Sequence, residues 1–432
     1  MRSIALTLLP LLAPRSTLRR SSPLLSEHEP PGHTFVVHGN VLLLSADALL
    51  VPTRNLNNRQ WFPDGPPRGT AQPPRDAFTP SRRVIRVEGS SAADPEPKSG
   101  GPRLANILWL GHLDGRFAPD ERLVDGDKPE LAWFLEAASQ FLSMAHGSLL
   151  ERGVPPQNSR AKHVLAMPVI GTGKGGARGS SGEMITGLLK LIDSYAAAHN
   201  VDVALVVKND RMFSAAQAYR RQLSQNWESK LGPRLHAAAT RLAALAASDR
   251  LCIFLGAGVS VGAGLPEWKQ LLKALAQRPE VPLDEEEVRQ LMTLGLPDQA
   301  AVVASRLASA SSASASSASA SAARSSSEQQ EWLKAAGLQA AEMQAAAAAA
   351  GGGGSNSRAD GIGGGGGQFA SLVVDELSSK RYSITHGLLA GLPVNAVVTT
   401  NYDALFETAW RAADKECVRA NIESSLEHLL LR

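Results

Sequence analysis

Residues 251–272 read LCIFLGAGVSVGAGLPEWKQLL, an apolar stretch that leads into a glycine-rich turn and then into an amphipathic helix. Glycine allows the backbone to turn tightly and to approach a ligand closely, and the free amides at the start of a helix attract anions. This order of strand, turn and helix predicts an α/β fold with a site for the pyrophosphate of a dinucleotide. A glycine-rich strand end also occurs as a plain turn, and this alternative remains open.

A second junction of the same kind lies at residues 394–410, VNAVVTTNYDALFETAW. Polar side chains follow the predicted strand at Thr399, Thr400, Asn401 and Asp403. Because ligands of parallel sheets bind beyond the carboxyl ends of the strands, we expect these groups to face the same crevice as the Gly256 turn. The alternative is that the asparagine and the aspartate only cap the helix that follows.

Together, GAGVSVGAGLPEWKQLL and TTNYDALFE resemble the sirtuin-related SIR2-like family, and they are more similar to its NAD-hydrolysing branch than to the protein deacetylases. The deacetylases carry proline, aspartate, phenylalanine and arginine where this chain has PEWK at 266–269, and glutamine where it has Thr400. The resemblance implies a Rossmann-like parallel sheet and NAD as ligand or substrate, with cleavage to nicotinamide and ADP-ribose. NAD-dependent protein deacylation is the less favoured activity.

The resemblance also implies roles for individual residues. Asn401 would orient the nicotinamide ribose or the attacking water, and Asp403 would support it as the second catalytic residue. The implied NAD-binding residues are Gly256, Ala257, Gly258, Ser260, Gly264, Leu265, Trp268, Thr399 and Thr400. The family's catalytic histidine follows the TTN strand, but the only later histidine here is His428, in a leucine-rich helical context; His386 precedes the strand. The catalytic base is therefore not identified, and a non-catalytic NAD or ADP-ribose sensor or an assembly scaffold, including a homo-oligomer, remains an alternative.

Residues 34–225 alternate short apolar strands, the first of them FVVHGNVLLL at 35–44, with helices, the clearest being 131–150 and 184–199. This pattern predicts a complete α/β unit. Its segments GN at 39–40, ADALLVPTRN at 46–55 and VIGTGKGG at 169–176 resemble the macrodomain, a three-layer module that binds ADP-ribose. The residues that the resemblance assigns to ADP-ribose are Asn40, Asn55, Gly171, Thr172, Gly173, Gly175 and Gly176. The family's first phosphate loop is replaced by RQWFPD at 59–64, so a working ADP-ribose site and a macro-like fold without its ligand are both open.

The composition divides the chain further. Residues 1–30 form a leader with four arginines and no acidic residue before Glu27, which is typical of a mitochondrial or plastid transit peptide; a secretory signal and an untargeted leader on a cytoplasmic protein are the alternatives. Residues 230–304 and 368–432 are the two parts of the SIR2-like domain, and residues 305–367 form a low-complexity insertion that we expect to be disordered. Few residues remain after the TTNYD helix, so we expect this domain to be incomplete.

Charge and cysteine content exclude several classes of partner. The net charge of +3 gives no strong attraction to nucleic acid or to an anionic membrane, and no apolar run is long enough to span a bilayer. The two cysteines, Cys252 and Cys417, cannot form the four-cysteine zinc site of the deacetylases. We therefore expect no zinc or other metal, no nucleic acid and no membrane as partners.

Overall fold

A computed structural model describes residues 31–66, 70–92, 106–113, 129–158, 160–172, 181–222, 227–281, 283–315, 365–399 and 401–416. The predicted leader, most of the insertion, Gly173, Gly175, Gly176, Thr400, Cys417 and His428 lie outside these ranges. The fold is mixed α/β, with one sheet of six mostly parallel strands and a second sheet of two parallel strands. Among the helices that the structure describes, none has the length and apolarity needed to cross a bilayer.

The six-stranded sheet occupies the first half of the chain. Its strands are β1 (Thr34–His38), β2 (Ala48–Val51), β3 (Val84–Ala92), β4 (Asn106–Gly111), β5 (Val164–Pro168) and β6 (Asp202–Val207). The order across the sheet is β1-β6-β5-β2-β4-β3, and only β3, at the edge, runs antiparallel to its neighbour. The parallel strands are continuous apolar runs, because both faces of the sheet are covered.

Of the described helices, three cover one face of this sheet: α1 (Leu131–Glu151), α2 (Ser181–His199) and α3 (Asp210–Gln222). The first two confirm the helices predicted at 131–150 and 184–199. The stretch predicted as one strand over 35–44 is instead β1 followed by a 3₁₀ helix, Val41–Leu43. The side chain of Asn40 accepts a hydrogen bond from the amide of Leu42 and so turns the chain at that point.

In the second half of the chain, the described residues form the two-stranded sheet and eight helices. The strands are β7 (Cys252–Leu255) and β8 (Ala396–Thr399), and the helices are α4 (Trp227–Ala247, kinked at Gly232), α5 (Gly258–Val261), α6 (Trp268–Ala276), α7 (Glu285–Leu291), α8 (Leu296–Ala315), α9 (Gly365–Glu376), α10 (Ile384–Ala390) and α11 (Leu405–Ala412). Helices α6 to α9 enclose a small apolar core of their own. Helix α8 continues past residue 305, where the insertion was predicted to begin, because Leu307 packs into this core.

The opposite face of the six-stranded sheet is covered partly by the later chain. Helix α10 lies on β1, and a Cβ atom added to Gly387 would be 2.5 Å from Cγ1 of Val37. The backbone of Tyr382 pairs with the segment that precedes β2. Its amide donates to the carbonyl of Leu43, and its carbonyl accepts from the amide of Ser45. The unit predicted to be complete within residues 34–225 therefore shares a layer with residues 382–412.

Candidate functional site

The glycine-rich turn leaves open space beside the end of β7. The amides of Val259 and Ser260 fold back onto the carbonyls of Gly256 and Ala257, which produces the short helix α5. A Cβ atom added to Gly256 or Gly258 would meet no atom within 4 Å, so the backbone is accessible there. Gly264 closes the turn with φ +88°, a conformation that favours glycine.

Parallel pairing brings the end of β8 beside this turn, as the strand–turn–helix patterns predict. Leu255 and Thr399 are partners in the register of β7 and β8. Just beyond them, the side-chain nitrogen of Asn401 donates to the carbonyl of Gly256 at 3.2 Å, and its backbone nitrogen donates to Oγ1 of Thr399 at 3.0 Å. The glycine-rich turn after β7 and the polar end of β8, which are more than a hundred residues apart in sequence, therefore meet at one edge of the two-stranded sheet.

Ser260 is the centre of a buried polar cluster at this edge. Its side chain is 2 % exposed, and its Oγ donates to Oδ2 of Asp403 at 2.8 Å. The same oxygen is 3.3 Å from Nδ2 of Asn401 and 3.4 Å from Nε2 of His386. The other carboxylate oxygen of Asp403 accepts from the amide of Leu405 at 3.0 Å. Asp403 precedes the N-cap, Ala404, and satisfies the first amide of helix α11, which is the local role that the alternative predicts, while it also holds Ser260.

His386 is the member of this cluster that sequence reasoning missed. It is fully buried, and its Nδ1 lies 2.8 Å from Oγ of Ser383, the N-cap of α10. Burial lowers the pKa of His386, and the nearby carboxylates of Asp403 and Glu407 offset part of this effect. The available signal was Ser383 three residues before the histidine, a capping-box spacing, but this spacing gives no indication of a distant partner.

A cleft of about 250 Å³ opens next to this cluster. Of the predicted residues, it is lined by Ala257, Ser260, Leu265, Trp268, Asn401 and Asp403, and the wall is completed by Pro266, Leu271, Leu377 and Tyr402. The rings of Trp268 and Tyr402 stack with their centroids 5.7 Å apart. The predicted Gly256, Gly258, Gly264 and Thr399 belong to the adjoining turn and strand end and do not line the cleft.

The predicted ADP-ribose residues lie at a different sheet edge. Asn40, Asn55 and Gly171 follow β1, β2 and β5, whose parallel directions place them at the same side of the six-stranded sheet. The side-chain oxygens of Asn40 and Asn55 accept from the amides of Leu42 and Asn57, so each stabilises a local turn. Gly171 has φ +76°, and a Cβ atom there would be 2.5 Å from Cε of Met184. Thr172 follows it at the end of the described segment.

Comparison with protein-family models and with curated proteins finds no match to this chain. In the part of the chain that the structure describes, no group of three or more histidine, cysteine or acidic side chains is arranged to hold a metal ion.

Proposed function

We propose that the chain binds NAD in the cleft beside the Gly256 turn and cleaves it to nicotinamide and ADP-ribose. The observation that carries this proposal is the hydrogen bonding of the Asn401 side chain. Its Nδ2 donates to Gly256 and to Ser260, whereas its buried Oδ1 has no hydrogen-bond partner among the described residues. A buried acceptor without a partner is costly, so the site suits a ligand that brings a hydroxyl or a water.

The dimensions support a ligand that extends beyond the cleft. Small-molecule sites enclose roughly 300–1,000 Å³, and this cleft is slightly smaller. We therefore expect it to enclose one ribose and its base, with the pyrophosphate along the open backbone of Gly256 and Gly258. The stacked rings of Trp268 and Tyr402 would form the apolar wall against the base.

Calorimetric titration with NAD and a nicotinamide-release assay test this proposal. We expect Asn401→Ala to abolish release, because the variant loses both donors and the acceptor that would hold the ribose. Asn395→Ala is the matched control, since this asparagine is exposed on the approach to β8. Absence of both binding and release in the wild-type protein would contradict the proposal.

Binding without cleavage in an assembly scaffold is the second candidate, and two observations favour it. Asp403 carries the only carboxyl side chain among the described residues that line the cleft, and its oxygens already accept from Ser260 and Leu405. Apolar side chains are also exposed on the β7–β8 sheet and on α4, including Phe254 at 77 % and Leu235 at 60 %. Such surfaces mark interaction sites, and we assign this one to a second copy of the chain.

Light scattering of the wild-type protein and of Phe254→Asp tests this assignment. NAD binding without nicotinamide release, together with a dimer that dissociates in the variant, would favour the scaffold.

We further propose that the six-stranded unit has a macro-like role and binds the ADP-ribose product. The loops carrying Asn40, Asn55 and Gly171 at one sheet edge support this proposal. Titration with ADP-ribose of wild-type protein and of Asn55→Ala tests it. Affinity that is unchanged in this variant would exclude the assigned loop from the binding site.

A further inference from the structure

His386 lies beside the cleft but does not line it, so its contribution must pass through another side chain. The backbone N–H of Ser383 donates to Nδ1 of the imidazole at 3.2 Å. A backbone amide can only donate, so Nδ1 must be the acceptor and carries no proton. The neutral ring therefore holds its single proton on Nε2, the atom that faces Ser260.

The direction of the next hydrogen bonds follows from this tautomer. Nε2–H of His386 donates to Oγ of Ser260 at 3.4 Å, and Oδ2 of Asp403 is the acceptor on the other side of this hydroxyl. The single hydroxyl proton of Ser260 consequently goes to Asp403, at 2.8 Å. The second lone pair of Ser260 Oγ remains for the side-chain amide of Asn401, at 3.3 Å.

The orientation of the Asn401 amide is fixed in the same way. Its Nδ2 lies 3.2 Å from the carbonyl of Gly256, which can only accept, so the NH₂ group must face the glycine turn. Both amide protons are then used, by Gly256 and by Ser260. The buried Oδ1 is left to accept from a ligand.

We propose that His386 is a positioning residue: its Nε2–H directs the Ser260 hydroxyl to Asp403, so that Ser260 Oγ accepts from Asn401 and helps Gly256 hold the amide with Oδ1 available to a hydroxyl donor of the ligand. This inference rests on the proposed NAD site. It assigns a role to a side chain that touches neither the ligand nor the reacting atoms.

The arrangement requires a neutral imidazole. A second proton on Nδ1 would face the N–H of Ser383, so two donors would oppose each other. The ionisable groups that act on the ring are the carboxylates of Asp403 and Glu407, and the hydroxyls of Ser260 and Ser383 contact it. Because burial lowers the pKa of His386 from 6.5, we expect NAD affinity to hold at neutral pH and to fall below about pH 6.5, in step with protonation of this ring.

Long-range ¹H–¹⁵N NMR of the ligand-free protein reports the tautomer directly. We expect, at neutral pH, a pyridine-type Nδ1 and a pyrrole-type Nε2 for His386. A pyrrole-type Nδ1 or an imidazolium signal would overturn the inference, whatever the outcome for NAD. If this tautomer is found and NAD does not bind, the proposed function is wrong, but the assigned directions of the hydrogen bonds in the ligand-free protein remain correct.

Two substitutions test the effect on the ligand. We expect His386→Leu to weaken NAD binding by about tenfold, as for the loss of a hydrogen bond of about 1.4 kcal/mol, because the Ser260 hydroxyl is no longer directed. His386→Gln, whose amide can also donate, should recover most of the affinity. His236→Leu, on helix α4, is the control. NAD binding by His386→Leu equal to that of the wild-type protein would overturn the proposal, and the NMR result decides it if the leucine variant fails to fold.

Discussion

The hydroxyl group of Tyr382 lies 3.1 Å from the backbone nitrogen of Asn40 and 3.3 Å from its carbonyl oxygen, which joins residues 342 positions apart. Tyr382 is fully buried, and its burial raises the pKa of the phenol to about 12, so the group stays neutral and able to donate. The next residue, Ser383, caps the helix that carries His386. One tyrosine thus connects the loop after β1 to the element that reaches the cleft.

This contact predicts a specific coupling between two substitutions. A Cβ atom at Gly39 would lie 2.3 Å from the Tyr382 hydroxyl, but 3.4 Å from the nearest ring carbon. We expect Gly39→Ala and Tyr382→Phe each to lower the free energy of unfolding by about 1–3 kcal/mol, through a steric clash and through lost hydrogen bonds. Since the phenylalanine removes the clashing oxygen, the double variant should be more stable than the sum of the two losses predicts. Urea denaturation measures all three.

Tyr219→Phe is the control for this cycle. The hydroxyl of Tyr219 is buried without a hydrogen-bond partner in the described part of the chain, so its removal should cost little. Additive effects of Gly39→Ala and Tyr382→Phe would contradict the contact.

A second prediction concerns the buried ion pair between Asp47 and Arg160. The fully buried carboxylate of Asp47 accepts from the guanidinium at 3.0 Å and from the amides of Gln157 and Val164. We expect Arg160→Met to lower the free energy of unfolding by about 3 kcal/mol, because it leaves a buried charge without its cation. Arg289→Met, which removes an exposed pair with Glu286, should cost less than about 1 kcal/mol. Thermal or urea unfolding measures both variants. Equal decreases in the free energy of unfolding would show that the ion pair with Arg160 does not stabilise the buried carboxylate of Asp47.

A third prediction concerns stability below neutral pH. His146 is 7 % exposed, and burial, followed by the neighbouring His163 and His199, lowers its pKa from 6.5. The unfolded state therefore binds a proton at a higher pH than the folded state, so stability should be retained above about pH 7 and decrease as the pH falls from about 6.5 through the lower pKa of the folded protein. His386, whose pKa is shifted in the same direction, adds to this decrease.

Urea midpoints at pH 7.5 and pH 5.5 measure this effect. His146→Gln should lose less stability between the two values than the wild-type protein, while His236→Gln should behave like the wild type. Identical pH dependence in His146→Gln and the wild-type protein would refute the assignment.

A fourth prediction concerns the apolar wall of the cleft. Trp268 lines the cleft and stacks on Tyr402, so Trp268→Ala removes part of the surface proposed to contact the base. We expect about a tenfold loss of NAD affinity for Trp268→Ala and a smaller loss for Trp268→Phe, which keeps an aromatic ring. Trp227→Ala, on the exposed start of α4, is the control in calorimetry. Unchanged affinity in Trp268→Ala would place the ligand elsewhere.

The features that the sequence made predictable are local. The glycine turn after β7 and the polar end of β8 are encoded within a few residues each, and parallel strands bring such ends together. The helices α1 and α2 show an apolar periodicity of their own. Asn40, by contrast, ends the strand predicted over 35–44 through one side-chain hydrogen bond. The apolar residues on both sides of Asn40 gave no indication of this turn.

The features that escaped prediction depend on tertiary contacts. His386 is 126 residues from Ser260 in the sequence. The sequence around it indicates only a histidine in a helix, followed by a glycine. The loops after β1 and β2 likewise gave no indication that residues 382–412 would pack over that face. Periodicity indicates that a surface is apolar, but it does not identify the part of the chain that covers it.

The shared layer has a consequence for synthesis on the ribosome. The strands β1 to β6 leave the exit tunnel early, but residues that cover part of one of their faces are translated only after α4 and the helices α5 to α9. Until then the nascent chain carries a partly uncovered apolar face, the kind of surface that chaperones bind, and its completion requires contacts between distant residues, which slow folding. The first sheet to be made is therefore among the last to be closed.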